Sequence, residues 1–507
     1  MQGVSLSDRE LLDTAALCGH LVPAGSMYAL LSQHRKKIFP DELFADLFES
    51  DQGRPSIPTD RIAVAMILKE LEGLSDCQAA TALETDIRWK AAAGLALDEK
   101  AFGPSVFVYW RKRMRASDRP HRIDEAVKDV IRQTGVLNGR KRRALDSTVF
   151  DDAVATQDTV TQLAAAIRKV RKLVPEARQV AVSAHDYDNA GLPDCAWDDD
   201  VARDALVTAL VEDALATVDA LPVTGLDDDA ERAVALSALV AGQDVEPGET
   251  PGTWRIARAV AKDRVVSTVD PESRHAHKSR SSYRDGLKGH IANEPETGLI
   301  TANTLTGANT GDGEVAAQLL ADEPEPVEAL GDTAYGGGQT RADLIEAGHS
   351  PVIKPAPLAP AVPGGLDRDD FVIDCQAGTV TCPNQITVPI SAKGNASFGR
   401  HCDGCPLRAR CTTAKAGRSL HIGEHDELLA AARAQAKTLE LAQTYRRRPL
   451  AERSIAWVVN HGHRRCPYRG VKRNQLWLSL RVAAVNLTRL LGLGLHHEGG
   501  WKVRAAT

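Results

Sequence analysis

The sequence predicts an α/β protein. A mixed sheet forms its core, with a helical N-terminal domain, an acidic helical insertion and a small cysteine-rich β insertion. Three observations predict this. Apolar residues recur at helical spacing through the first third of the chain. Short strand-like runs, ALDSTVF at 144–150 and LITANTL at 299–305, flank a long acidic, alanine-rich stretch. Five of the nine cysteines crowd between Cys375 and Cys411. The segments expected are a helical domain at 1–135, a first part of the core at 136–155 and the acidic insertion at 156–262. A second part of the core at 263–365, the cysteine-rich insertion at 366–425 and C-terminal helices of the core at 426–507 follow.

In the first segment, Asp60 to Leu71 has helical periodicity and Gly73 ends it. Ser75 is placed to cap a second helix, and a third runs through Asp86 and Trp89 to Gly94. Short helices joined by glycine turns suit a helix-turn-helix-like DNA-binding unit as well as a plain bundle. Arg140 to Arg143 leads into ALDSTVF. The insertion should hold helices near Thr161–Leu173 and Val201–Ala220. Strands are expected at Asp263–Asp270, Gly286–Ala292, Leu299–Leu305 and Val327–Leu330, and a helix at Glu314–Ala321. A Pro/Gly/Ala-rich loop covers 355–366, and 424–491 is strongly helical.

Composition narrows the function classes. With 43% hydrophobic and 26% charged residues, the chain reads as an ordinary soluble globular protein. No run approaches the ~18 apolar residues of a membrane span. The opening MQGVSLSDRELLDTAALCGH has no apolar leader core, so a cytoplasmic, nucleoid-associated protein is expected. The net charge of −6 hides a partition. Asp194–Glu249 holds fifteen acids and two bases, so the rest of the chain is net positive. Ser105–Arg143 holds twelve bases against four acids, and Tyr445–Leu490 eleven bases against Glu452 alone. Two basic blocks beside a separate acidic segment point to a phosphate-backbone partner.

Asp146 lies in the strand ALDSTVF, Asp332 follows the strand VEALG before a glycine-rich turn, and Glu452 lies in a basic helix. Each alone has an ordinary explanation, as a turn cap or an exposed helical acid. Together, from two strand ends and a helix, such carboxylates can converge to hold two Mg²⁺ (or Mn²⁺) ions, hard cations that prefer oxygen ligands. Two metals suit phosphodiester chemistry. Cys382, Cys402, Cys405 and Cys411 supply four thiolates, the number that a closed structural Zn²⁺ site takes, with Cys375 as a spare. An empty reduced cluster and a redox pair are the alternatives. Lys288 and His290 (GLKGH) sit on a core strand, with a structural role weighed against an approach to the metal site. Trp110 and Trp457 are expected in the core.

The text around the three acids resembles transposases of bacterial insertion sequences, of the DDE class with an RNase H-like catalytic core. It is nearest the insertion-sequence 1182 group, related to the insertion-sequence 4 group. FPDELFADLF, GRPSIP, LSDCQAATALETDIRWKAAAGL and FGPSVFVYWRKRM are similar to the N-terminal domain of that family. ALDST and GDTAYGG carry its first two catalytic acids, Asp146 and Asp332. Tyr445, Arg448 and Glu452 fall on the spacing of its third motif, Tyr, two residues, Arg, three residues, Glu. The lysine that the family places after six further residues is Val459 here.

The resemblance implies binding of double-stranded DNA at terminal inverted repeats, cleavage of the element's ends, and joining of the freed 3′-hydroxyl to target DNA. It implies a homodimer across paired ends. Contacts to DNA are expected from Tyr445 and Arg448, and from Arg464, Arg465, Lys472 and Arg473 in place of the missing lysine. The alternatives are a catalytically inactive DNA-binding relative or transposition repressor, which Val459 favours, and a stand-alone nuclease on the same core.

Overall fold

A computed structural model describes residues 1–4, 12–49, 52–189, 191–222, 225–258, 261, 263–279 and 282–504. The N-terminal residues 5–11 and the boundary at 262 lie outside the described residues.

Six strands form the central sheet: β1 (Arg142–Asp151), β2 (Arg274–Ser279), β3 (Ser282–Asn293), β4 (Ile300–Gly307), β5 (Glu328–Gly331) and β6 (Ser350–Ile353). β3 runs antiparallel to β1, and β2 and β4 run antiparallel to β3. On the other side of β1, β5 is parallel to it and β6 is parallel to β5. Side chains alternate across a strand. Leu145 and its partner Ala292 therefore face one side, packing with Val315, Leu319, Tyr335 and Leu344. Ile291, partner of Asp146, faces the other, packing with Phe150, Val458 and Trp477. Gly286 allows β1 and β3 to meet, because a Cβ there would fall 1.9 Å from the Phe150 carbonyl oxygen.

The helix Val471–Gly492 is the spine of the molecule. Leu478, Val482 and Val485 pack on the sheet. Leu476, Leu480, Ala484 and Leu487 pack into the N-terminal helices. Its buried polar residues are hydrogen-bonded: Arg481 to the Val458 carbonyl at 3.0 Å and Asn486 to the Ile300 carbonyl at 2.9 Å. The N-terminal helices end as expected. Thr59–Glu72 stops at Gly73, in a left-handed conformation with φ 69°. Asp76–Thr85 starts in a capping box of Ser75 and Gln78. Ile87–Ala93 runs from an Asp86 cap to Gly94, φ 66°.

The acidic stretch folds as Thr159–Leu173, Pro175–Arg178, Asp200–Asp219 and Asp228–Gln243, followed by a small hairpin of Val245–Pro247 with Trp254–Ile256. It has its own apolar cluster of Leu163, Ile167, Leu210, Val211 and Val240. Asp263–Asp270 is not a strand. Val265 makes one isolated antiparallel bridge to Arg274 of β2, and glutamine side chains meet the backbone beside it: Gln162 donates to the Val265 carbonyl at 3.0 Å, and Gln157 accepts from Thr268 N at 2.7 Å. Sequence reasoning missed two strands of this sheet, β2 and β6. Among the described residues, no helix is long and apolar enough to cross a membrane.

Candidate active site

Asp146 sits mid-way along β1, opposite Ile291. One carboxylate oxygen accepts from Ser147 N at 2.9 Å. Burial pushes its carboxyl up to about 6; the Ser147 N–H and Arg448 oppose the rise, and Asp332 and Glu452 add to it. The three acids named from the sequence therefore act on one another.

Asp332 follows β5 directly. Its Oδ1 caps the short turn Thr333–Tyr335, accepting from Ala334 N at 2.9 Å. The ordinary role, a turn cap, is thus filled by one oxygen, and the other stands 3.6 Å from Arg448 Nη2. Glu452 lies in the first turn of Pro449–Val459 and is exposed. Arg448, the residue just before that helix, donates to Glu452 at 2.7 Å. Proline at the first helical position fixes the chain at that entry. Arg448 thus bridges Asp332 and Glu452 and lowers the Asp146 carboxyl. Its Nε is buried without a hydrogen-bond partner.

Next to Asp146 lies a polar group of which the sequence singles out Lys288 and His290 but not Ser147, Asp312 or Tyr335. Ser147 donates to Asp312 at 2.8 Å, and Lys288 stands 3.3 Å from the same carboxylate oxygen. His290 is fully buried, 2.9 Å from Thr306 Oγ1 and 3.8 Å from Asp312. Burial holds its ring down to about 4, so it is neutral at neutral pH. Tyr335 is buried nearby, its hydroxyl pushed up by burial and then by Asp312, Asp146 and Asp332. The pairing of Ser147 with His290 across β1 and β3 was the available clue, but Asp312 comes from a separate turn.

The expected basic contacts divide into two kinds. Arg464 is tied to β1 through Thr148 Oγ1 at 2.6 Å and the Val149 carbonyl at 3.3 Å. Arg465 Nε donates to the Asp152 carbonyl at 2.9 Å. Lys472 and Arg473 are exposed at the start of the spine helix. Tyr445 lies under Lys354, whose Nζ is 4.6 Å from the ring centre. Val459 packs against the apolar cluster of Phe150 and Trp477. Trp110 is buried edge-on to Phe44 and Phe48. Trp457 is half-buried under Arg489, at 4.4 Å.

In the cysteine-rich segment, Val372–Asp374, Thr379–Thr381 and Thr387–Pro389 form a three-stranded sheet, and Asn395–Ser397 pairs with Ser419–His421. Cys382, Cys402, Cys405 and Cys411 line one small cavity there, whereas Cys375 is exposed. Among the described residues, no three His, Cys, Asp or Glu side chains already form a metal-binding group. The carboxylates nevertheless suit a hard divalent cation. Asp146 is raised first by burial and then by two neighbouring carboxylates, and a guanidinium stands where their charges need offsetting.

A family described as transposase DDE domain matches residues 381–491, the stretch that contains the four clustered cysteines, Tyr445, Arg448 and Glu452. A second, transposase domain (DUF772), matches residues 18–113 in the N-terminal helices. No curated protein and no solved structure matches the chain. The chain is thus similar to transposases in two separate stretches, one in each half.

Proposed function

We propose that the protein is a DDE transposase of an insertion sequence, which binds the terminal inverted repeats of its element, cuts the ends and joins the 3′-hydroxyl to target DNA, with Asp146, Asp332 and Glu452 holding two Mg²⁺ or Mn²⁺ ions. The observation that carries the proposal is Arg448 bridging Asp332 and Glu452 beside a raised Asp146. The sheet supports it too. Three antiparallel strands continued by two parallel ones, with the first acid on the central β1, suit an RNase H-like core.

When bound, the metal ions supply Lewis-acid activation of the attacking oxygen and stabilise the leaving one. The chain's own residues do the rest. Asp146, anchored by the Ser147 N–H, presents a carboxylate from a rigid strand. Asp332 is held by its own turn and Glu452 by its helix. Arg448 keeps the carboxylates from repelling one another before DNA arrives. Exposed Lys472 and Arg473 hold backbone phosphate, while Arg464 and Arg465 brace β1. In the first step water attacks the end phosphorus and the P–O3′ bond breaks, leaving a 3′-hydroxyl. In the second, that hydroxyl attacks target phosphorus and displaces a target 3′-oxygen. A dimer across two paired ends carries out both.

The test is to incubate the protein with linear DNA carrying both element ends and Mg²⁺, beside Asp332→Asn, and to map products to the nucleotide. Boundary nicks and strand-transfer joints, both lost in the variant, support the proposal. Nicks without joints indicate a nuclease. End binding without nicks in Mg²⁺ or Mn²⁺ supports a DNA-binding relative, the reading that Val459 favours.

A further inference from the structure

The cysteine-rich segment is built on little apolar packing. Its strands are three residues each. Its core includes Phe371, Val380, Phe398 and Leu420, with Cys402 and Cys411 filling part of it. Segments of this size usually need a disulfide or a metal. All five of its cysteines are free thiols.

Four of them converge from three stretches of chain. Cys382 follows Thr379–Thr381, in a turn where Gln385 takes a left-handed conformation, φ 61°. Cys402 ends the turn Gly399–Cys402, Cys405 follows it, and Cys411 ends Arg408–Cys411. They line a cavity of about 20 Å³, room on the order of a single atom or water. Arg418 stands against these sulfurs, its Nη1 donating to the Cys411 carbonyl at 3.5 Å. Arg418 N points at Cys402 Sγ, 3.4 Å away. Arg418 Nε is buried with no hydrogen-bond partner. Four thiolates around one soft cation need this kind of positive surround.

We propose that Cys382, Cys402, Cys405 and Cys411 bind one Zn²⁺ as thiolates, with Arg418 offsetting the charge of the site. Each thiol gives its proton to solvent, and the sulfurs draw in to tetrahedral positions from their present spacing. Cys375 stays outside, exposed beside Glu427.

Arg368 pairs with Asp426 and donates to the His421 carbonyl at 2.7 Å, and Arg433 donates to Asp369 at 2.7 Å. These bonds clasp the cysteine-rich segment to the helix Asp426–Ala436, which leads towards Glu452. His425 reaches Gln339 at 3.0 Å, in the helix after the Asp332 turn.

The experiment measures zinc per chain in the full-length protein and in Cys375→Ser, Cys405→Ser, Cys411→Ser and Asp332→Asn. Cobalt titration of the chelator-treated wild type and limited proteolysis accompany it. One zinc per chain is expected in the wild type, Cys375→Ser and Asp332→Asn. It should be lost in the other two, which should be cut faster between 366 and 448. Cobalt should give an intense thiolate-to-metal absorption band. Zinc retained by Cys405→Ser and Cys411→Ser, or a wild type that binds neither zinc nor cobalt, overturns the proposal. If those two variants do not fold, the wild-type cobalt spectrum decides, and a spectrum without a thiolate band overturns it. Asp332→Asn separates this result from the cleavage reading, since zinc should stay while cutting is lost.

Discussion

Arg448 and Glu452 are joined by a 2.7 Å hydrogen bond, and the other end of the same guanidinium stands 3.6 Å from Asp332. One arginine, entering the helix just before its first-turn proline, thereby ties the helix acid to the strand-end acid. A planar fork can reach two carboxylates where an ammonium reaches one. Arg448→Lys should therefore keep the fold but lower end cleavage by roughly tenfold or more, and Arg448→Ala by more, in line with the loss of a preorganised charged group. Single-turnover cleavage beside a thermal melt checks this; equal activity in Arg448→Ala would refute the role.

Asp146 links function to stability. Its carboxyl is raised from the ordinary 3.8 to about 6, first by burial. Between those values the folded protein keeps a proton that the unfolded chain releases, so stability falls as pH rises through the window. Asp146→Asn should then be more stable than the metal-free wild type at pH 7.5, by about 1–3 kcal/mol from the size of the shift. The difference should vanish near pH 4. Mg²⁺ should raise the melting temperature of the wild type and not of the variant. Melting curves at several pH values test both.

The basic residues at the C-terminal end should separate by role. Lys472→Ala and Arg473→Ala remove exposed charges, so each should reduce the salt dependence of DNA binding by about one phosphate contact and leave the melting temperature unchanged. Arg464→Ala removes the bonds to Thr148 and Val149, and should lower stability by about 1–3 kcal/mol. Binding titrations across salt, paired with melts, distinguish them. A stable Arg464→Ala with a reduced salt slope would reverse the assignment.

Gly286 is a packing requirement. A Cβ there would meet the Phe150 carbonyl oxygen at 1.9 Å, which backbone cannot yield without parting β1 from β3. Gly286→Ala should destabilise the protein by roughly 2 kcal/mol or more and reduce cleavage by displacing Asp146. Gly348→Ala, with nothing within 4 Å of its Cβ but a φ of +86°, should show only the smaller backbone strain.

Much of this was legible before the structure. Asp146 and Glu452 stand on the strand and helix expected of them, and Asp332 at the end of its strand. The Ser75, Gly73 and Gly94 punctuation is where local rules put it, because capping depends on a few neighbouring residues. What stayed hidden depends on distant partners. Val265 and Val266 read as a strand, but Val265 makes one isolated bridge to Arg274, and the backbone of the pair is otherwise met by Gln157, Gln162 and Gln243. The β2 sequence RHAHKS has no apolar alternation, because it pairs at the edge of β3. Asp312 could not be picked from sixty-eight acids without knowing that its turn returns to Ser147.

The most direct measurement is cleavage of DNA bearing the element's own ends by the wild type, Asp146→Asn, Asp332→Asn and Glu452→Gln, in Mg²⁺ and in chelator. Nicks at the boundary phosphates are expected from the wild type in Mg²⁺ alone, and none from the three folded variants, all of which should still bind the ends. Boundary cleavage that survives in any of the variants, or in chelator, would contradict this expectation.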